Sequence, residues 1–173
     1  SIEVMPQGAL NVSEVDEPYG TFIENALAKA RHASRCTGLP ALADDSGICV
    51  HALNGAPGVN SARYAGEPRS NQRNNQKLID ALNNQTDRRA YYYCVIVLLR
   101  HADDPQPIIV DGSWDGSIID HPRGEGGFGY DPHFFLPEFD KTSAELTAEQ
   151  KNRISHRGQA LLKLVQILRT EKF

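Results

Sequence analysis

Ala41-Leu-Ala-Asp-Asp-Ser-Gly-Ile-Cys-Val50 is the stretch on which the reading of this chain turns. Its two ends, Ala41-Leu-Ala43 and Ile48-Cys-Val50, are short apolar runs of the kind that form buried strands. Between them stand two adjacent carboxylates, a hydroxyl and a glycine. Successive strand residues face opposite ways, so Asp44 and Asp45 need not share one side. A carboxylate turned into a cleft would suit Mg2+, a hard cation that takes oxygen ligands. The same four residues also favour a turn or a helix N-cap. Two acids set inside such apolar flanks tip the balance towards function.

Upstream, Thr21-Phe-Ile-Glu24 is a capping box: the Thr hydroxyl takes a first-turn N–H and Glu24 reaches back. The helix it opens carries Phe22, Ala26, Ala30 and Ala33 on one side. Gly38 and Pro40 stop it. Residues 11–20 are acidic and turn-rich, and residues 1–5 read as a short strand. Asp16 and Glu17 either complete a metal site or simply favour the helix N-terminus.

Downstream, Gly55-Ala-Pro-Gly58 is a turn. Residues 71–82 read as a helix with Leu78, Ile79 and Leu82 apolar. Residues 91–99 are β-branched and aromatic, which predicts a central strand. Residues 108–119 predict another, bent at Gly112 and Gly116, and Phe134-Phe135 a short third. Thr147-Ala-Glu-Gln150 is a second capping box. The last helix shows Ile154, Gly158, Leu161, Val165 and Leu168 as its apolar stripe. Alternating strands and helices place the chain in the α/β or α+β class with a mixed sheet.

Composition narrows the function classes. The chain has 173 residues, 40% apolar and 23% charged, as expected of one soluble globular domain spanning residues 1–173. The longest nearly apolar run, residues 91–99, is far short of the ~20 residues a membrane helix needs, and no export leader opens the chain. A net charge of −4 argues against a general nucleic-acid binder. Residues 151–173, however, carry six basic side chains and one acid, which suggests a site for a small anion. Cys36, Cys49 and Cys94 form no CxxC pair, consistent with a reduced, cytoplasmic compartment and no cysteine-built zinc site.

Two further stretches carry candidate chemistry. In Arg123-Gly-Glu-Gly-Gly-Phe-Gly-Tyr-Asp-Pro132, glycines let backbone approach a flat ligand, and Phe128 can stack on a base. The plainer reading is a hairpin loop whose aromatics pack on the core. In Lys151-Asn-Arg-Ile-Ser-His-Arg157, three side chains donate hydrogen bonds. On one unbroken helix His156 would sit ~140° and Arg157 ~240° from Lys151, too far apart to meet one ligand. If the helix restarts with Ser155 as N-cap, His156 and Arg157 occupy its first turn, where an electron-rich ligand would relieve their charge. The stretch from Gly55 to Tyr64 has no derivable chemistry beyond Arg63, which can orient a carboxylate or phosphate.

Taken in order, Thr21-Phe-Ile-Glu-Asn-Ala26, Leu39-Pro-Ala-Leu-Ala-Asp-Asp-Ser-Gly47, Gly55-Ala-Pro-Gly58 with Ser61-Ala-Arg-Tyr64, Gly127-Phe-Gly-Tyr-Asp-Pro132, Lys141-Thr142 and Ser155-His-Arg-Gly158 resemble the inosine-triphosphate pyrophosphatase family. They cover nearly the whole chain and are specific together. The resemblance implies an elongated, two-lobed α/β fold with a mixed, strongly twisted central sheet flanked by helices and a cleft between the lobes. It implies a homodimer and Mg2+-dependent cleavage of non-standard purine nucleoside triphosphates (ITP, dITP, XTP) to monophosphate and pyrophosphate. Asp45 would be general base and metal ligand. The acid before the first capped helix, Asp16 or Glu17, would be the other ligand, and counting back from Phe22 favours Asp16. Ser46 would touch substrate. Phe128, Gly129, Tyr130 and Asp131 would hold the base, Lys151 would contact substrate, and His156 and Arg157 would read the base.

The family also begins with a strand and a Ser/Thr-x-Asn-x-x-Lys loop for the triphosphate, a segment of roughly 25 residues that has no counterpart in this sequence. Reduced or absent activity is therefore expected of this exact chain. A nucleotide-binding form without catalysis, or an Mg2+-dependent phosphohydrolase with another nucleotide, are the alternatives.

Overall fold

The computed structural model describes residues 2–170. Ser1, from the expected opening strand, and Glu171 and Lys172, from the basic end, lie outside the described residues. Residues 2–6 are irregular, so no strand opens the described chain.

The first helix, α1 (Phe22–Thr37), starts where Thr21 accepts the Glu24 N–H at 3.3 Å and ends at Gly38, in the left-handed region at φ 69°. Glu24 does not reach the Thr21 N–H as expected. It takes the Thr21 hydroxyl instead, at 2.7 Å. Strand β1 (Ala41–Val50) follows without interruption through Asp44-Asp45-Ser46-Gly47. The turn reading of those four residues is thereby overturned: each has a β2 partner, and a paired backbone needs no cap. Helix α2 (Asn71–Ala81), strands β2 (Arg89–Leu99) and β3 (Ile108–Ile118), and the short β4 (Phe134–Leu136) and β5 (Lys141–Thr142) come next.

The chain is α/β in class, with helices on a five-stranded sheet of order β1-β2-β3-β4-β5. All four pairings are antiparallel, where a mixed sheet was expected. Every described strand pairs with its neighbour in the chain, which is the antiparallel arrangement that needs no crossover helix. Among the described residues the sheet is open, with β1 and β5 as its outer strands.

Strand alternation builds the core. Cys94, Ile96 and Leu98 of β2 pack with Ala160 and Leu164 on one face. Val95, Val97 and Leu99 pack with Ala26 and Ala30 of α1 on the other. A third cluster joins Ile48, Val50, Tyr92, Trp114, Phe134 and Leu136 towards the other end of the sheet.

The chain ends in two helices, α3 (Ala148–Ile154) and α4 (His156–Thr170), with Ser155 between them. The unbroken helix is thus excluded. Thr147 and Gln150 form the expected capping box on α3. Ser155 caps α4, its hydroxyl accepting the Gly158 N–H at 3.1 Å. The expected apolar stripe of the last helix is displaced. Ala160 and Leu164 are buried, whereas Leu161 and Val165 are 43% and 42% exposed. Its apolar residues, Ala160, Leu161, Leu162, Leu164, Val165, Ile167 and Leu168, cover a broad arc, so periodicity alone could not select the face. Gly112 helps select it: a Cβ there would collide with the His156 carbonyl and crowd Ala160.

Candidate active site

The register of β1 sorts its functional side chains. Asp44 pairs with Ile96 and Ser46 with Cys94, both of the α4 face, while Asp45 pairs with Val95, of the α1 face. Paired residues point to the same side of a sheet. Asp45 therefore lies on the α1 face, and Asp44 and Ser46 on the α4 face.

On the α1 face, Lys29 stands between two acids: its Nζ is 2.5 Å from Glu17 and 3.4 Å from Asp45. Glu17 is brought there by Asn25, a buried residue of α1 whose amide donates to the Tyr19 carbonyl and accepts the Tyr19 N–H, both at 3.1 Å. Asp16, the residue favoured by counting, is exposed like Glu17, but the Lys29 ion pair is made by Glu17. Glu17 is the acid that joins Asp45. Burial is the largest influence on Asp45 and raises its carboxyl above the usual range; Lys29 opposes that and Glu17 adds to it. Burial alone would lower Lys29, but the hydrogen bond it donates to Glu17 and the nearby carboxylates hold it above its ordinary value. The sequence reading missed Lys29. Its signal was faint: a lysine one turn beyond Asn25 on the helix that follows an acidic turn.

On the α4 face the central group is Asp131, only 2% exposed. Its carboxylate accepts from the Phe128 N–H at 2.9 Å, the Tyr92 hydroxyl at 3.0 Å and Lys151 Nζ at 2.5 Å. Gly127 must be glycine here: its φ is +70°, and a Cβ would collide with the Asp131 carboxylate. Phe128 is 62% exposed, with Lys151 Nζ 4.5 Å from its ring centre. The aromatic that the hairpin-loop reading buried is thus presented to the outside. Tyr130 goes the other way. It is buried, and its hydroxyl donates to the Ser61 carbonyl at 2.6 Å, so its side chain anchors the loop. The Gly129 carbonyl accepts from Asn75 at 2.9 Å.

His156 is buried and stacks on Tyr92, ring centres 4.8 Å apart and 11° from parallel. Burial, then the charges of Arg157 and Lys151, lower its pKa to about 4, so its imidazole is neutral at pH 7. Its Nδ1 is buried with no partner among the described residues. Arg157 donates to Asp44 through Nε at 3.2 Å and Nη2 at 2.8 Å, and its Nη2 lies 3.4 Å from Ser46 Oγ.

The stretch from Gly55 to Tyr64, for which only Arg63 carried an expected role, is a clamp. Ser61 Oγ accepts the Ile48 N–H at 2.9 Å and donates to the Gly58 carbonyl at 2.6 Å. It presses on Gly47, where a Cβ would overlap both Gly58 and Ser61. Through Tyr130 the same segment holds the glycine loop. Arg63 pairs with Glu67 at 2.5 Å and joins neither group.

The family model described as the Ham1 family matches residues 1–167. The chain belongs to the Ham1 family. Within that family it is 72% identical over 167 residues to the dITP/XTP pyrophosphatase of Nitrosomonas europaea, covering 96% of this chain and 82% of that one. It is 63% identical to the dITP/XTP pyrophosphatase of Ralstonia nicotianae, covering 97% and 85%. Among solved structures, a HAM1 protein from Coxiella burnetii superposes with a TM-score of 0.94 at 49% identity, over 96% of this chain and 86% of that one. The Staphylococcus aureus Ham1 protein gives 0.89 at 44%, over 96% and 85%. As a Ham1-family chain, the protein is a nucleoside triphosphate pyrophosphatase by kinship. No described helix is long and apolar enough to cross a membrane.

Proposed function

We propose that this chain hydrolyses non-canonical purine nucleoside triphosphates (ITP, dITP and XTP) to the monophosphate and pyrophosphate, removing them from the nucleotide pool. One observation carries the reading. Edge strand β1 turns Asp45 towards Glu17 and Lys29 and turns Asp44 and Ser46 towards Arg157. A nucleotide lying across that edge would meet acids at its phosphates and donors at its base.

Hydrolysis at the α-phosphorus needs charge neutralisation and an in-line water more than covalent help. Glu17 and Asp45 offer hard carboxylate oxygens, which fit an ion held partly by substrate phosphates. An Mg2+ ion held by these two carboxylates would supply charge neutralisation at the phosphates. Asp45 is placed to take the attacking water's proton on a carboxylate oxygen. Lys29 keeps the two acids together and adds positive charge near the phosphates.

At the base, Phe128 stacks on the purine and Lys151, His156 and Arg157 surround its edge. A 6-oxygen accepts hydrogen bonds from these donors. The 6-amino group of adenine leaves them unpaired, and mismatches of that kind discriminate by ~10⁴. Asp131 places both Phe128 and Lys151, and Gly129 and Tyr130 fix the loop that presents them. Ser46 contacts substrate beside Arg157. One domain, a cytoplasmic setting and a homodimer complete the reading.

The test is pyrophosphate release from ITP, dITP, XTP, GTP and ATP with Mg2+, paired with titration of IMP and AMP. Faster release from ITP, dITP and XTP, and tighter IMP than AMP binding, are expected. Equal rates on all five and equal affinities for both monophosphates would sink the reading.

A further inference from the structure

Asp44 and Asp45 are neighbours with unlike surroundings. Asp45 faces a lysine and an acid, whereas Asp44 accepts two N–H groups from one arginine. We propose that Asp44 is a positioning residue for base selection: it grips one edge of the Arg157 guanidinium so that the remaining donors face the purine. The inference rests on the proposed role of Arg157 in reading the base.

Three observations carry it. Arg157 sits in the first turn of α4, after the Ser155 cap, where the helix dipole disfavours a cation. A carboxylate opposite it removes that penalty and gives the long side chain one preferred direction. Second, the contact is two-pronged, through Nε and Nη2 to the same Asp44 oxygen, which fixes the plane of the guanidinium as well as its position. Two of five N–H groups are engaged this way. Third, the pair is open to water, with side chains 46% and 40% exposed. Ion pairs in such settings add little to stability. What this one supplies is geometry, and a misplaced donor loses much of its value in recognition.

The experiment titrates IMP and AMP into the parent chain, Asp44→Asn, Asp44→Glu, Arg157→Ala and the Asp44→Asn/Arg157→Ala double variant. Asp44→Asn should reduce the IMP-over-AMP preference about tenfold, the value of one hydrogen bond to a charged group. Asp44→Glu should restore most of it. Asp44→Asn should change little once Arg157 is already alanine. A merely structural ion pair would move the melting temperature and leave the preference alone. If Asp44→Asn keeps the parent's preference while Arg157→Ala loses it, this inference is overturned and the reading of Arg157 stands. If Arg157→Ala keeps the preference, that reading falls and this inference with it. A ligand-free measurement guards against a misfolded variant. The Arg157 Nε–H resonance, assigned by its loss in Arg157→Lys, should exchange with water more slowly in the parent than in Asp44→Asn or Asp44→Ala. Equal exchange would overturn the proposal.

Discussion

Asp45 owes its character to the side of the strand it occupies. Beside Lys29, its carboxyl is raised by burial, which outweighs the lysine's opposing charge. Asp45→Asn keeps the shape and removes the base, so ITP hydrolysis should fall about a thousandfold. IMP binding should fall far less; release at the parent rate would exclude Asp45 as base. His156 gives a second prediction at this scale. Its ordinary pKa of 6.5 is lowered to about 4 in the folded chain. Between those values the unfolded chain binds a proton and the folded chain does not. Acidification through this window therefore favours unfolding, and the stability is fully present above pH 6.5. The effect is about 3 kcal/mol at its limit. His156→Phe keeps a ring against Tyr92 without the titration. Urea melts should show the parent losing more stability than this variant between pH 7 and pH 4; parallel losses would refute the buried neutral imidazole. Side chains of this kind were partly legible in the sequence. Asp45, Phe128, Lys151, His156 and Arg157 stand in distinctive motifs. Lys29 does not, because the packing of α1 on the sheet brings it to Asp45, and an Asn25 contact that fixes a turn lacking any regular pattern brings Glu17 to it.

At the scale of elements, the break at Ser155 matters most. It turns a helix whose spacing would scatter Lys151, His156 and Arg157 into two helices that gather them. Gly112 sets how closely the second helix approaches the sheet. Gly112→Ala would drive a methyl into the His156 carbonyl and should cost about 1–3 kcal/mol. Because the displaced backbone carries His156 and Arg157, the variant should also lose part of its IMP-over-AMP preference. Chemical denaturation and IMP titration on one preparation check both, and an unshifted midpoint would show that the helix has room to move. Strand and helix positions were largely readable, since β2, β3 and α2 have clear periodicity and α1 and α3 have clear caps. The face of α4 was not: Ala160, Leu161, Leu162, Leu164 and Val165 offer several equivalent stripes, and the choice belongs to the sheet below. The continuity of β1 was hidden for a related reason. Asp, Ser and Gly are turn formers by propensity, and only pairing with residues 94–96 of β2 keeps them extended.

For the whole molecule, the distribution of the site along the chain has a thermodynamic consequence. Glu17 and Lys29 come from near the start, Asp44 to Ser46 from the edge strand, Phe128 to Asp131 from the glycine loop, and Lys151 to Arg157 from the junction of the last two helices. None of these groups is assembled in an unfolded chain, so a ligand that spans them binds the folded state alone. Stability then rises as RT ln(1 + [L]/Kd), about 2.7 kcal/mol at a hundredfold excess over Kd. For a chain of this size that corresponds to a melting-temperature increase of roughly 5–10 °C. IMP at a hundred times its Kd should produce that shift, and AMP at the same concentration a clearly smaller one. In Arg157→Ala the two shifts should converge, because the base contact that separates them is gone. In Asp45→Asn they should stay apart, because Asp45 lies on the opposite face of β1 from the base-reading group. Equal shifts from IMP and AMP in the parent chain would mean that the donors around Arg157 do not tell a 6-oxygen from a 6-amino group.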